Sequence, residues 1–366
     1  MNSEVEVFNR LLQTAVESGA SDVHLKTGKP AVFRINRELI SVESPIPTEE
    51  WMNNVVSAVV PSHLTLRVQK EADLDFSYFL SGVGRFRTNL FRQRGQWSFA
   101  MRYVKTAVPG FEQLGLLEQI RRIAEAPRGI VLVGGTTGSG KSTTLAAIIE
   151  HINAKFKKHI VTLEDPIEYI FEDKESMIEQ REIGLDTNSF HEALKHVLRQ
   201  DPDVIMIGEM RDDTSFAAAM SAADTGHLVL STLHTTNASQ SVSRVLDFFK
   251  ADEREQVRRQ LAETLHAVIC QRMVPTLNGG MTPALEIMIN TPMVKKLISE
   301  NRIEKLAAAI ETSSEDGMIT FNQALYNLVK EEKVSKQEAL SKASNPQALE
   351  MNFNGIFLDE ARRILS

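Results

Sequence analysis

The sequence predicts an α/β protein: a parallel sheet covered by helices on both faces, preceded by a small α+β domain and followed by a helical region. Three observations carry this. Short, mainly apolar runs at Gly129–Val133, His159–Leu163, Val204–Ile207 and Leu228–Ser231 alternate with helical segments, as strands buried on both faces do. Before residue 104 apolar and polar residues alternate instead, as in half-exposed antiparallel strands. Beyond Thr291 the chain is mostly helical in pattern, with polar surfaces around Glu300–Lys305 and Glu331–Lys342. Domains are therefore expected at 1–104, 112–290 and 291–366, with a linker at 105–111.

The elements follow in order. Ser3 and Glu6 have capping-box spacing, Val5, Phe8, Leu12, Ala15 and Val16 recur at helical spacing, and Gly19 can end the helix. Ala20–Leu25 alternates like a strand. Val32–Ile35 and Glu38–Ile40 flank Asn36-Arg37, the pattern of a hairpin. Asp73–Phe79, Gly84–Phe91 and Trp97–Val104 complete a set of antiparallel strands. Val108-Pro109-Gly110 then breaks the rhythm inside the Lys105–Gly110 linker.

Composition narrows the function. The 366 residues carry a net charge of −7, so no global basic field invites nucleic acid or an anionic membrane. Cys270 is the single cysteine, which excludes an intramolecular disulfide and a multi-cysteine zinc site and fits a buried core thiol. No stretch approaches 18 consecutive apolar residues, and the N-terminus lacks the pattern of a signal peptide. A cytosolic protein is expected, touching membranes only through partners.

The strongest motif is Gly135-Thr136-Thr137-Gly138-Ser139-Gly140-Lys141-Ser142, a full match to the phosphate-binding P-loop. An apolar strand precedes it, and Thr143–Asn153 follows with Leu145, Ile148, Ile149 and Ile152 at helical spacing. Strand, loop and helix stand in the order that aims backbone N–H groups at a phosphate. Gly135 to Thr143 are thus the expected ATP-binding residues, with Lys141 by the β- and γ-phosphates and Ser142 a ligand for Mg²⁺.

Two acidic elements leave other strands. Val204–Ile207 runs into Gly208-Glu209, and Glu209 is the acid placed to support Mg²⁺ or its waters. Glu164-Asp165-Pro166 leaves the strand before it, and Glu164 or Glu209 is the group that would orient water. His227 and His234 bracket the apolar run at 228–233. A histidine at a strand end can hydrogen-bond a γ-phosphate, whereas their seven-residue spacing makes a shared metal site a poor fit.

These elements, in this order, resemble the secretion-type ATPase superfamily of hexameric motors. Ala20-Ser-Asp-Val-His-Leu25 and Gly84-Arg-Phe-Arg-Thr-Asn89 are similar to its PilT-like, twitching-motility branch. So are Gln180–Gly184, Leu198–Asp203, Gln271–Pro275, Glu286–Pro292, Gly317–Leu325 and Asn345-Pro346 with Gly355-Ile-Phe357. The resemblance implies a PAS-like N-terminal domain, a RecA-like ATPase core, a homo-hexamer, and ATP held between two domains of one subunit. It implies arginines reaching the phosphates from an N-terminal domain, for which Arg87, Arg94 and Arg102 are the candidates. It also implies work on an inner-membrane platform protein of the pilus machine, from its cytoplasmic face.

Two departures qualify the match. The four-cysteine zinc module of extension motors is ruled out, which favours retraction. Met293-Val-Lys-Lys-Leu-Ile-Ser-Glu300 differs at Lys295, Lys296 and Ser299 from the segment usual in retraction motors. An accessory PilU-like paralogue beside a principal motor therefore stays open, as does a regulatory ring component with little turnover. A RecA-like nucleic-acid motor is the further rival, weakened by few aromatics and no basic channel.

Overall fold

The structure, a computed structural model, describes residues 3–35, 38–104 and 107–356. Asn36-Arg37 of the expected hairpin, Lys105 and Thr106 of the expected linker, and Phe357 lie outside the described residues. The chain forms two compact units that divide between Ala107 and Val108, with Glu168–Ile170 counted to the first.

The first unit contains α1 (Ser3–Glu17), β1 (Asp22–Lys26), β2 (Val32–Ile35), β3 (Glu38–Ser41), α2 (Glu49–Val59), α3 (Thr65–Val68), β4 (Asp73–Leu80), β5 (Gly84–Gln93) and β6 (Gln96–Val104). Ser3 is already helical, so it is not the cap that its spacing to Glu6 suggests. The strands pair antiparallel in the order β3-β2-β1-β6-β5-β4. Period-two alternation sends Phe33, Phe76, Phe86, Leu90, Phe99 and Met101 into a core with Phe8, Leu12 and Met52 of the helices. The other face carries Arg34, Asp22, Arg102 and Arg87, which stand in one register row across β2, β1, β6 and β5.

The second unit opens with α4 (Phe111–Leu114) and α5 (Glu118–Ala124). There follow β7 (Gly129–Gly134), α6 (Lys141–Lys155), β8 (His159–Glu164), β9 (Met177–Glu182), α7 (Phe190–Val197), β10 (Val204–Ile207), α8 (Asp213–Asp224) and β11 (Leu228–Leu233). Next come α9 (Ala238–Asp247), α10 (Arg254–Thr264), and a long hairpin of β12 (Leu265–Pro275) and β13 (Met281–Ile289). It ends with α11 (Pro292–Ser299), α12 (Leu306–Thr312), α13 (Phe321–Lys330), α14 (Lys336–Lys342) and α15 (Pro346–Phe353), which pack into the same unit.

Seven strands form one sheet, ordered β13-β12-β7-β11-β10-β8-β9. All neighbours are parallel except β13, which runs antiparallel to β12. The four strands expected in this core are present; β9, β12 and β13 were not expected. Strand β9 reads Met-Ile-Glu-Gln-Arg-Glu, too polar for a buried-strand pattern, because it lies at the sheet edge. Strand β12 carries one extra residue, His266, between its pairings to Ile130 and Val131 of β7.

Strand β7 shows why the run is apolar throughout. Ile130 and Leu132 enter the core with α8, α9 and α10, and Val131 and Val133 enter the core with α5 and α6. All four are wholly buried. Cys270 is buried as well, and burial pushes its thiol up to about 12, with the Glu286 charge adding to the effect.

Leu132→Ala should lower unfolding stability by about 2–5 kcal/mol in denaturant melts. Leu66→Ala, at a residue 72% exposed, should change it by less than about 0.5 kcal/mol.

Candidate functional site

The strand order brings the carboxyl ends of β7, β11, β10 and β8 side by side along one sheet edge. Residues far apart in sequence thereby become neighbours. Gly135–Gly140 leave β7, His234 follows β11, Glu209 follows β10, and Glu164 closes β8.

The loop between β7 and α6 is shaped for close backbone approach. A Cβ on Gly135 would stand 2.2 Å from Ser139 Oγ and 2.9 Å from the Gln271 carbonyl oxygen, so only glycine fits. Gly140 caps α6 with φ +89°, a left-handed conformation that glycine adopts without strain. Thr136, Thr137 and Gly138 are exposed along the loop, while Lys141 and Ser139 are buried. Ser142 and Thr143 fall in the first turn of α6, where the helix dipole favours an anion.

Lys141 Nζ donates to the carbonyl oxygens of Gly135 at 3.0 Å and Thr136 at 3.2 Å. Ser139 Oγ is buried without a hydrogen-bond partner. A glycine-shaped loop at a helix N-terminus, a buried ammonium and an unmatched buried hydroxyl fit an anionic phosphate group.

Gln271 backs the loop from β12. Its Oε1 accepts from Thr144 Oγ1 at 2.9 Å, and its Nε2 donates to the Ser139 carbonyl. Both ends of a 2%-exposed amide are thus spent on holding loop and helix together. A cleft of about 220 Å³ opens beside it, lined by Gly135, Thr136, Thr236, Gln271, Arg272, Met273 and Lys342.

Glu209 is half-buried. Its Oε2 accepts from Arg211 Nη2 at 2.7 Å, and its Oε1 lies 3.4 Å from His234 Nε2. Burial alone would raise its carboxyl. The Arg211 hydrogen bond and the charges of Arg211, His234 and Lys141 outweigh burial and hold it below the usual carboxylate range. The Lys141 charge is thus among those that act on Glu209. Glu164 is buried, and its Oε1 accepts from Thr162 Oγ1 at 2.7 Å and Gln180 Nε2 at 3.0 Å.

Two of the expected residues stand apart from the neighbours expected for them within their own unit. His227 stands at the amino end of β11, where its carbonyl accepts from Gly129 N at 3.0 Å. The six residues of β11 place it roughly 20 Å from the loop edge. A parallel strand has opposite ends at opposite edges, so His227 does not line the loop of its own chain. Arg94 forms the β5–β6 turn with Gly95, both at positive φ (53° and 81°), a two-residue hairpin geometry. It lies about 24 Å along the strand from Arg87. Arg87 and Arg102 are directly opposed, so Arg94 does not share their cluster.

Residues missed from the sequence complete the picture. Arg102 Nε donates to Asp22 Oδ1 at 2.8 Å, and the Arg34 Nε lies 3.8 Å from Asp22 Oδ2. Asp22 is the buried acid that orders this arginine row. Gln271 and Arg272 interrupt the otherwise apolar stretch Ala267–Val274, which is the signal that could have marked them. On α11, Val294, Leu297 and Ile298 face the core, while Lys295, Lys296 and Ser299 lie outside it. Lys295 Nζ bonds Glu263 at 2.5 Å.

The type II/IV secretion system protein family matches residues 2–350. The chain is similar to the type IV pilus retraction ATPase PilT of Pseudomonas aeruginosa, with 40% identity over 93% of this chain and 99% of that protein. It is similar to the type IV pilus ATPase PilU of the same organism, with 38% identity over 94% of this chain and 90% of that protein. Its fold is similar to the crystal structure of the pilus retraction motor PilT with bound ADP, at TM-score 0.87 and 38% identity, covering 93% and 98% of the two chains.

Gln271→Leu should raise the Kd of ADP about tenfold in a fluorescence titration, because two hydrogen bonds that fix the loop are lost. An unchanged Kd would show that the loop holds its shape alone. Glu209 bears on pH. Its folded value lies below its unfolded one, so its ionised form stabilises the fold above about pH 4.3 and that contribution is lost as pH falls through the folded value. The stability gap between wild type and Glu209→Gln in urea melts should therefore hold above about pH 4.3 and narrow as pH falls below it.

Proposed function

The chain belongs to the type II/IV secretion system protein family, and on that footing we propose that it is an ATP-hydrolysing motor of type IV pilus retraction, working as a ring of six identical subunits. The observation that carries this is the phosphate loop between β7 and α6, with Glu209 and His234 on neighbouring strand ends. The ring acts from the cytoplasmic side on a platform protein of the inner membrane. No helix among the described residues is long and apolar enough to cross a membrane.

The chemistry follows from the residues. Lys141 exchanges the carbonyls of Gly135 and Thr136 for phosphate oxygens. Ser142 and Glu209 would hold Mg²⁺, which neutralises charge on the β- and γ-phosphates when bound. His234 hydrogen-bonds the γ-phosphate from the end of β11 and reports its loss after hydrolysis. Glu164 orients the attacking water: it closes β8 and accepts from Thr162 and Gln180, while Glu209 faces Arg211 and His234. Arg87 and Arg102 stabilise charge on the transferring group. Contacts made only with the γ-phosphate let hydrolysis drive a conformational change.

A second reading has its own support. Lys295, Lys296 and Ser299, which depart from the usual segment, lie off the core face of α11. They alter a surface and leave the fold alone, as suits an accessory paralogue with a changed partner contact.

Lys141→Ala should lower ATP turnover by about 10²–10³-fold. Glu164→Gln should lower kcat by about 10²-fold while leaving nucleotide affinity within about twofold. In a strain lacking this gene and its paralogue, wild type should restore pilus retraction and Lys141→Ala should not. Retraction restored only when the paralogue is also present decides for the accessory reading.

A further inference from the structure

Two charged side chains lie between the sheet and the C-terminal helices and take no part in the chemistry above. Arg272 is on β12 and Glu286 on β13. Cys270 pairs with Glu286 and Arg272 with Ala284, so the two are diagonal neighbours on one sheet face. Each feels the other's charge. Burial raises the Glu286 carboxyl and lowers the Arg272 guanidinium, and the mutual attraction opposes both effects.

Their contacts go to the same two places. Arg272 Nη2 donates to the Thr236 carbonyl at 3.3 Å and Nη1 to the Lys342 carbonyl at 2.7 Å, with the guanidinium 3.8 Å from the centroid of the Phe321 ring. Glu286 Oε1 accepts from Ala238 N at 2.8 Å, and the Phe321 backbone N–H lies near enough to pull its carboxyl down. Thr236 and Ala238 flank Asn237, the cap of α9, in the turn that follows His234. Phe321 opens α13 and Lys342 closes α14.

We infer that Arg272 and Glu286 are positioning residues for the His234 turn, pinning it on both sides to the start of α13 and the end of α14. His234 then meets Glu209 in the right place only while the C-terminal helices are docked, and a shift of His234 is passed to those helices. The inference rests on the reading of His234 as the γ-phosphate contact. A buried ionic pair stabilises little compared with apolar residues of the same volume, so geometry is its use here. Only arginine's planar fork reaches two carbonyls while stacking on a ring; lysine keeps the charge and loses the arrangement. The preceding residue, Gln271, points to the other face and holds the phosphate loop, so the end of β12 joins the loop to the same hub.

The test is a double-mutant cycle on ATP turnover of the full-length protein. Arg272→Lys, Glu286→Gln and His234→Ala should each lower kcat about tenfold, with the Kd of a fluorescent ADP analogue within about twofold of wild type. His234→Ala combined with either hub variant should be no slower than His234→Ala alone. Effects that multiply, or hub variants that lower Tm while the folded protein keeps full kcat, overturn the inference and leave the reading of His234 standing. A His234→Ala protein at full rate overturns that reading, and this inference with it. Running the cycle with both hub variants keeps it decisive if one fails to fold.

Discussion

The ammonium of Lys141, buried and donating to the carbonyls of Gly135 and Thr136, is the interaction on which the second unit depends. A buried cation must be matched by acceptors or by negative charge nearby. The loop supplies carbonyls, Glu209 supplies charge from a strand end two places away, and α6 begins at the lysine itself. The parallel order of β7, β11, β10 and β8 makes this possible, because every strand presents its carboxyl end to the same edge. Helices bury these strands on both faces, and the apolar residues of β7 divide between two cores.

The first unit works by a different rule. Its sheet is apolar on one face and ionic on the other, so period-two alternation decides which side chains can meet a partner. Asp22 sits among arginines in a single register row and is nearly buried there. One carboxylate between Arg34 and Arg102 sets their spacing, and Arg87 follows by register with Arg102. That row is a property of pairing, which no single strand reveals.

Much of this was legible in the chain. The core strands, the phosphate loop and the acids after β8 and β10 follow from apolar runs that end in chemistry. Residues whose role depends on pairing were not legible. Gln271 and Glu286 look like interruptions of buried strands until β12 is seen beside β7 and β13 beside β12. His227 looked equivalent to His234 because spacing along a strand does not say which end faces the loop. Arg94 looked equivalent to Arg87 because an arginine serving a hairpin turn has no local mark apart from Gly95.

The extra residue at His266 has a consequence for the whole of β12. Side chains alternate along a strand, so one inserted residue sets the phase of everything downstream. With that offset, Gln271 looks toward the phosphate loop and Arg272 toward α13 and α14. Without it the two would trade faces: a guanidinium would press into the loop and an amide would front the helices. A single irregularity some five residues upstream thus acts as the indexing pin that tells each neighbour which layer to serve.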